Sequence, residues 1–246
     1  MSTESAELRK GAIKSAASRA SVLGQLVVFL VFAAVLLPAL SPAATVAHGA
    51  WVKLLFLARI VALLAVGTWF LHLQRSGWAA AGLRKPRWWK TLLAIPLGVV
   101  ASAVLAGVAS AIAFRTGAHA ADYSMFSPLR GNLGEYLFWA VAVSWGTAAF
   151  GEELIFRGFV LQSVRLVLGD PGRVATIAAI VFRAIIFGLL HLYQGPGGAA
   201  NAGAIGLVLG VVWLFTERNL WAGIIIHGLL DFFAMTAIYL GVLPHH

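Results

Sequence analysis

Long runs of apolar residues, separated by short polar stretches, dominate the sequence. A membrane-spanning helix needs roughly 20 mostly apolar residues. Seven runs approach or exceed that length: 22–40, 54–73, 92–114, 136–150 (continuing past an acidic pair), 174–193, 199–215 and 220–243. The pattern predicts an all-α, polytopic membrane protein of about seven to eight transmembrane helices, with any active site inside the helix bundle.

Composition strengthens this prediction. The chain is 61% hydrophobic and 11% charged, whereas a soluble domain usually carries about a quarter charged residues. The formal net charge of +9 does not indicate nucleic-acid binding, because the basic residues lie in the short loops between apolar runs. Cytoplasmic loops of membrane proteins collect Lys and Arg in this way. The expected partner is therefore the lipid bilayer.

The polar stretch 74–90 gives the strongest loop signal. Its basic residues are accompanied by tryptophans: Arg75, Arg84, Lys85, Arg87, Lys90, Trp78, Trp88 and Trp89. Lys and Arg beside Trp are typical of a cytoplasmic membrane interface. Residues 1–20 are also basic, and the run after them is too long for a signal peptide. We expect residues 1–20 to be a polar cytoplasmic segment and residues 21–246 to be one integral membrane domain.

Ionisable residues inside the apolar runs are the candidates for chemistry. Such a group costs about 2.5 to 3.5 kcal/mol at the centre of a spanning helix, so each needs a partner or a task. The candidates are Glu152, Glu153, Arg157, Arg183, His191, His227 and Asp231.

The adjacent carboxylates of Glu152 and Glu153 are predicted to differ in role. Glu153 and Arg157 have the i, i+4 spacing, with the acid first, that favours a helical ion pair. Glu152 is rotated by about 100° from Glu153 on an α-helix and is left for another task. The alternative for Glu152 is a buried acid hydrogen-bonded to a neighbouring helix.

The histidines lie on two later apolar runs. A single histidine such as His191 is often only a core residue, whereas His227 and Asp231 share one helix face at i, i+4. Small residues allow membrane helices to approach closely and stand beside these groups. They are Gly151, Gly158, Gly188 and Gly228.

Helix lengths test whether these groups can meet. If the helices turn at 170–172, Glu152 and His191 both lie roughly 27 to 28 Å from that turn. His227 and Asp231 lie only about 12 Å and 18 Å from a second turn at 217–219. Simple counting thus brings Glu152 and His191 to one height but leaves the second pair at another.

Three motifs occur in order on successive apolar helices: Glu-Glu-x-x-x-Arg from Glu152, Phe-x-x-x-His ending at His191, and His-x-x-x-Asp from His227. Together they resemble the intramembrane glutamic endopeptidases of the CAAX-protease and bacteriocin-processing family (CPBP, also called Abi). The resemblance is close over residues 150–231 and weaker at "AGLRKPRWW".

The resemblance implies catalytic roles for Glu152 as general base, for His191 as the histidine that helps it activate water, and for His227 and Asp231 as the pair that stabilises the oxyanion. Glu153 and Arg157 take supporting roles. The eukaryotic CAAX enzymes carry Asn where this chain has Asp231. Because Asp donates a hydrogen bond only when protonated, two roles stay open for Asp231: oxyanion donor or orienter of His227.

The function implied is that of a CAAX-prenyl-endopeptidase-like intramembrane protease. It would hydrolyse a peptide bond of a membrane-associated, prenylated or leader-type peptide through a Glu/His-activated water, without a cofactor. Residues 21–246 would form the protease domain, with its motif core at 135–243, in a bacterial cytoplasmic membrane. The chain has no Cys and no Gly-x-Ser-x-Gly elbow, which argues against an acyl-enzyme.

Other readings stay open from sequence. Glu152, His191, His227 and Asp231 include zinc-ligand types, although His-Glu-x-x-His is absent, so a zinc-dependent intramembrane protease is one alternative. A non-catalytic bacteriocin-immunity or scaffold protein is another. A proton-coupled transporter is a third, and the lack of an internal repeat counts against it. The sequence predicts neither the substrate, the side to which the site opens, nor a role for Arg183.

Overall fold

A computed structural model describes residues 17–39, 50–169 and 172–242, and this part of the chain contains helices and no strand. The all-α prediction is confirmed. The long helices are α1 (Arg19–Ala39), α2 (Ala50–Leu73), α3 (Trp88–Arg115), α4 (133–167), α5 (Arg173–Leu189), α6 (Gly195–Phe215) and α7 (Trp221–Tyr239). Short 3₁₀ helices occupy Ser124–Leu129 and Leu192–Gln194.

The protein is a multi-pass membrane protein. Within the described residues, five stretches are long and apolar enough to cross a bilayer: Arg19–Leu37, Trp51–Leu73, Trp88–Arg115, Leu192–Phe215 and Trp221–Tyr239. This number is below the predicted seven to eight for two physical reasons. The central part of α4 contains two glutamates and an arginine, and α5 is only 17 residues long.

Some predictions fall on parts of the chain that the structure does not describe. The polar segment predicted for residues 1–20 lies outside the described residues except for positions 17–20. Asp170 of the predicted first turn and Leu243 at the predicted end of the last span also lie outside them.

Helix α4 changes its hydrogen-bond pattern along its length. It begins as the α-helix Leu133–Leu137, continues as the π-helix Phe138–Val160 and ends as the α-helix Leu161–Val167. The N–H of Leu161 donates to the carbonyl of Phe156, five residues earlier. Such i→i+5 segments are rare and frequently occur at functional sites. The acidic pair of this chain lies in that segment.

The helices pack as two groups. Helix α6 contacts both α3 and α5, whereas α4 contacts both α2 and α7, and α7 joins the groups by also contacting α3. Helix α1 packs on α2 and on the end of α4. Where α1, α2 and α4 meet, the core contains Phe29, Phe70 and Phe159, and the ring centroids of Phe29 and Phe159 are 4.7 Å apart.

The outer surface of the bundle is apolar. Val35, Val61 and Leu97 are each more than 60% exposed, and many other large apolar side chains of α1, α2 and α3 are exposed as well. Patches of this size are not found on soluble monomers. They fit helices whose outer faces contact lipid.

One end of the bundle carries a cluster of basic residues. There, the loop 74–87 packs on the turn 216–220, and we call this pair of segments the basic end. Arg84 Nη2 donates to the Glu217 carbonyl (2.8 Å) and Leu220 N–H to the Gly82 carbonyl (3.1 Å). A hydrogen bond from Lys90 and the charge of Arg87 lower the pKa of the Glu217 carboxyl. These contacts join the α2–α3 and α6–α7 connections.

The other end is covered by the segment 116–132, which we call the cap segment. The Asp122 N–H donates to the Gln194 carbonyl (2.9 Å) just before α6. Arg130 Nη2 donates to the Gly241 carbonyl (3.0 Å) just after α7. The cap segment therefore connects the ends of α6 and α7 that lie farthest from the basic end.

We predict that Gly188→Ala destabilises the bundle. A Cβ at Gly188 would lie 2.7 Å from the backbone oxygen of Ala199, so α5 and α6 would have to separate. Overpacking of this kind typically costs about 1–3 kcal/mol. The measurement is the thermal unfolding midpoint in detergent.

The matched control is Gly107→Ala in α3, where no atom lies within 4 Å of the added Cβ. Its midpoint should equal or exceed that of the wild type, because Ala favours a helix over Gly by about 1 kcal/mol. Equal midpoints for the two variants would contradict close packing of α5 on α6.

Candidate active site

Two cavities meet inside the bundle. The larger, about 310 Å³, lies among α2, α3, α4, α6 and α7. The smaller, about 270 Å³, lies among α1, α2, α4 and α5. Both are lined by Arg59, Glu152, Phe187, His191 and Tyr193, and we call these five residues the junction. The predicted pair Glu152 and His191 therefore lies together at the junction.

Glu152 has an open side and a closed side. Its side chain lines both cavities, while its Oε2 atom is buried and makes no hydrogen bond to any described residue. The guanidinium groups whose charge acts on it are those of Arg59, Arg183 and Arg157. A carboxylate in this position faces cavity space and is surrounded by cations.

His191 is oriented by the turn that ends α5. Its Nδ1 lies 2.8 Å from the carbonyl oxygen of Phe187, and because a carbonyl only accepts, Nδ1 must donate. In a neutral imidazole this leaves Nε2 as the acceptor. The four-residue spacing of Phe187 and His191 thus fixes the tautomer as well as the ring position.

Glu153 points away from the cavities, as the sequence predicts. The predicted ion pair with Arg157 is present, and both side chains are fully buried. The same carboxylate oxygen accepts a hydrogen bond from Nδ1 of His227 at 3.0 Å. Glu153 therefore binds two cationic or donor groups, from α4 itself and from α7.

The position of His227 corrects one part of the sequence interpretation. Orienting His227 was one of the two roles left open for Asp231, but Nε2 of His227 and Oδ2 of Asp231 are 3.6 Å apart, too far for a hydrogen bond. The hydrogen bond that orients the ring comes from Glu153. Nε2 therefore faces the larger cavity beside Asp231.

The height difference expected from residue counting is wrong, because Glu152, His191, His227 and Asp231 all line the larger cavity. Counting assumed straight α-helices perpendicular to the membrane. A Cβ at Gly158 would lie 3.5 Å from Leu220 at the second turn. Arg165, two helical turns later, still lies 5.7 Å from the ring of Trp213 near that turn. The end of α4 thus runs across the bundle.

The predicted close-approach glycines are confirmed, because an added Cβ would crowd a neighbouring helix or loop at each of them. The neighbours are Ile60 for Gly151, Trp78 for Gly158, the backbone of Ala199 for Gly188 and Trp145 for Gly228. Gly223, which the sequence interpretation missed, packs against the Glu153 carboxylate in the same way. A side chain at these positions would separate the helices that form the site.

The segment 134–233 matches the family model Rce1-like, described as type II CAAX prenyl endopeptidase Rce1-like. This segment, which we call the CPBP segment, is similar to the CPBP family over 100 of the chain's 246 residues. CPBP proteins of this type form a protease family, and the resemblance drawn from the three motifs is confirmed. No curated protein and no solved structure matches the chain.

The CPBP segment contains every candidate site residue named from the sequence, but not Arg59. Arg59 lies on α2, where its Nη1 donates to the Leu37 carbonyl (2.9 Å) and its guanidinium lies 3.7 Å from the Phe56 ring. The sequence interpretation missed it. A lone arginine within the run 54–73 was the available signal, because an ionisable group at membrane depth marks a functional position by default.

Arg183 now has a structural context. It is fully buried, its Nη1 donates to the Gly206 carbonyl (3.1 Å), and its guanidinium lies 4.4 Å from the Phe187 ring. Its charge also acts on Glu152. Arg183 thus places a cation behind the junction and packs against the residue that holds His191.

The described residues contain no group of three or more His, Cys, Asp or Glu side chains close enough to hold a metal ion. Protein zinc sites take three or four such ligands. In this arrangement, Glu153 and Asp231 flank His227, whereas His191 bonds to a backbone carbonyl.

We predict that Gly223→Ala destabilises the protein through Glu153. The new Cβ would lie 2.8 Å from Oε2 of Glu153, whose carboxylate is held by Arg157 and His227 and has no room to turn. We expect a loss of about 1–3 kcal/mol, measured as a lower unfolding midpoint in detergent.

Gly146→Ala, also in the π-helical part of α4, is the control, because its Cβ would meet nothing within 4 Å. A Gly223→Ala midpoint no lower than that of Gly146→Ala would show that the Glu153 carboxylate can move freely.

Proposed function

We propose that the protein is an intramembrane endopeptidase in which Glu152 and His191 activate a water molecule. The observation that carries this proposal is their common position at the junction of two cavities within the bundle. Similarity to a protease family supports it. The substrate is a membrane-associated peptide or protein, lipidated or not.

Glu152 is the general base. A carboxylate in an apolar site can remove a proton from water near neutral pH. Nε2 of His191 accepts a hydrogen bond from the same water, because Nδ1 is engaged by the Phe187 carbonyl. The hydroxide adds to the carbonyl carbon of the substrate. The C–N bond then breaks, and the proton held by Glu152 passes to the leaving amine.

His227 and Asp231 bind the oxygen that gains negative charge. Because Glu153 accepts the Nδ1 hydrogen of His227, Nε2 can donate only when the ring is an imidazolium. The carboxyl groups of Glu153 and Asp231 lie beside the two nitrogens of the ring, 3.0 Å from Nδ1 and 3.6 Å from Nε2. Asp231 contributes as a protonated hydrogen-bond donor, one of the two roles left open from the sequence.

Glu153 and Arg157 hold this arrangement in place and take no part in bond changes. Both are fully buried and neither lines a cavity. Arg183 on α5 and Arg59 on α2 balance the charge of Glu152.

The proposal needs no metal or other cofactor and no nucleic acid. All seven helices, α1 to α7, cross the membrane in it, with the polar N-terminus in the cytoplasm of a bacterial cell. A non-catalytic scaffold of the same family would have no use for a carboxylate and a histidine at the wall of two cavities, so the enzyme is preferred.

The direct test compares the membrane proteomes of cells that express the wild type or Glu152→Ala. We expect an uncleaved species to accumulate in the variant cells, because the variant lacks the proposed general base. His191→Ala should give the same species. The double variant should be little worse than either single one, since residues that act as a unit are not additive.

Two results would contradict the proposal. One is identical proteomes for wild type and Glu152→Ala at equal amounts of folded protein. The other is cleavage in purified wild type that stops with a zinc chelator and returns with added zinc, which would replace the mechanism with a metalloprotease.

A second prediction concerns His227. His227→Ala should lower turnover by roughly 100- to 1,000-fold, as loss of one oxyanion donor does, with a smaller change in KM. His227→Gln keeps an N–H donor and should retain more activity than His227→Ala. Equal activities for the two variants would show that His227 does not bind the oxyanion.

A further inference from the structure

We infer that the active site opens to the extracytoplasmic side of the membrane, and that its substrates are translocated polypeptides that remain anchored in the bilayer. The part of this inference that concerns substrates rests on the proposed function, whereas the part that concerns the side to which the cavity opens does not. Three observations carry it: where the larger cavity leads, what closes its other side, and how charge is distributed.

The larger cavity runs from the junction toward the cap segment. Beyond Glu152 its walls include Tyr123 and Phe126 of the cap segment, Gln194 before α6, and Met235 near the end of α7. No residue that lines it, or the smaller cavity, belongs to the basic end. The cap end of the bundle is therefore the side from which the junction is reached.

Packed side chains close the path to the basic end. On that side of Glu152 lie Arg157, Phe159 and Val160 of α4, Leu220 of the turn 216–220 and Ile224 of α7, all of them buried. The close approach of Gly158 to Trp78 and Leu220 seals the space between α4, the loop 74–87 and α7. A polypeptide has no passage there.

The charges assign the two ends to sides of the membrane. The loop 74–87 contains four Lys and Arg residues, Arg75, Arg84, Lys85 and Arg87, whereas the cap segment contains Arg130 and directly follows Arg115 at the end of α3. Arg19 at the start of α1 and Arg218 in the turn 216–220 add to the same end. Lys and Arg in short loops mark the cytoplasmic side, so the cap segment lies outside.

The chemistry of the two cavities fits one kind of substrate. The larger offers polar side chains, among them Tyr123, Gln194 and Asn201, which can bond to the backbone of an extended polypeptide. The smaller is lined mainly by apolar side chains such as Leu37, Leu63 and Ile155. An apolar anchor followed by a polar extracytoplasmic stretch would place its peptide bond at the junction.

Single cysteines test the inference, because the native chain has none. Ala148→Cys lies on the wall of the larger cavity, one turn before Glu152. Ala149→Cys, the next residue, is fully buried and is the matched control. Ser76→Cys reports the basic end and Ser124→Cys the cap segment. The probe is a small membrane-impermeant methanethiosulfonate added to intact bacterial cells and, separately, to permeabilised cells.

We expect Ser124→Cys and Ala148→Cys to react in intact cells, Ser76→Cys only after permeabilisation, and Ala149→Cys in neither. Reaction of Ala148→Cys only under the conditions that label Ser76→Cys would overturn the inference. So would labelling of Ser76→Cys in intact cells, or failure of Ala148→Cys to react at all. Labelling needs no catalysis, so these outcomes are independent of whether Glu152→Ala abolishes cleavage.

Discussion

The buried carboxylate of Glu153 is the constraint on which the site depends. An ionised group inside an apolar bundle is stable only when charges and hydrogen bonds surround it. Here Arg157 comes from the same helix and His227 from α7. The cluster therefore fixes α4 against α7. Gly223 allows this contact, because any larger side chain would meet the carboxylate.

The site next to this cluster follows from the direction of neighbouring side chains on α4. With Glu153 turned into the core, Glu152 turns toward the cavities, where His191 is fixed by its bond to the Phe187 carbonyl. One hydrogen bond to Glu153 also sets which nitrogen of His227 faces the cavity. Structural and chemical roles are thus divided between two adjacent carboxylates by their environments. The positive charges of Arg59 and Arg183 act on Glu152.

Much of this was predictable because it depends on local spacing. Apolar run length gave the helices, and the i, i+4 spacing gave the Glu153–Arg157 pair. The depth of His227 in the bundle relative to Glu152 was not predictable, because it depends on the tilt of α4 and on its π-helical segment. Arg59 was missed because its role depends on α2 packing against α4, outside the CPBP segment. Which end the cavities face likewise depends on how the cap segment folds over α6 and α7.

The division of labour between the carboxylates is tested most directly by comparing Glu152→Gln and Glu153→Gln, purified in the same detergent, for thermal unfolding. Removing one partner of a buried ion pair costs about 3–5 kcal/mol. The unfolding midpoint of Glu153→Gln should therefore fall well below that of the wild type, while Glu152→Gln unfolds like the wild type although its cells accumulate uncleaved substrate. A wild-type midpoint for Glu153→Gln together with a lowered one for Glu152→Gln would contradict the account.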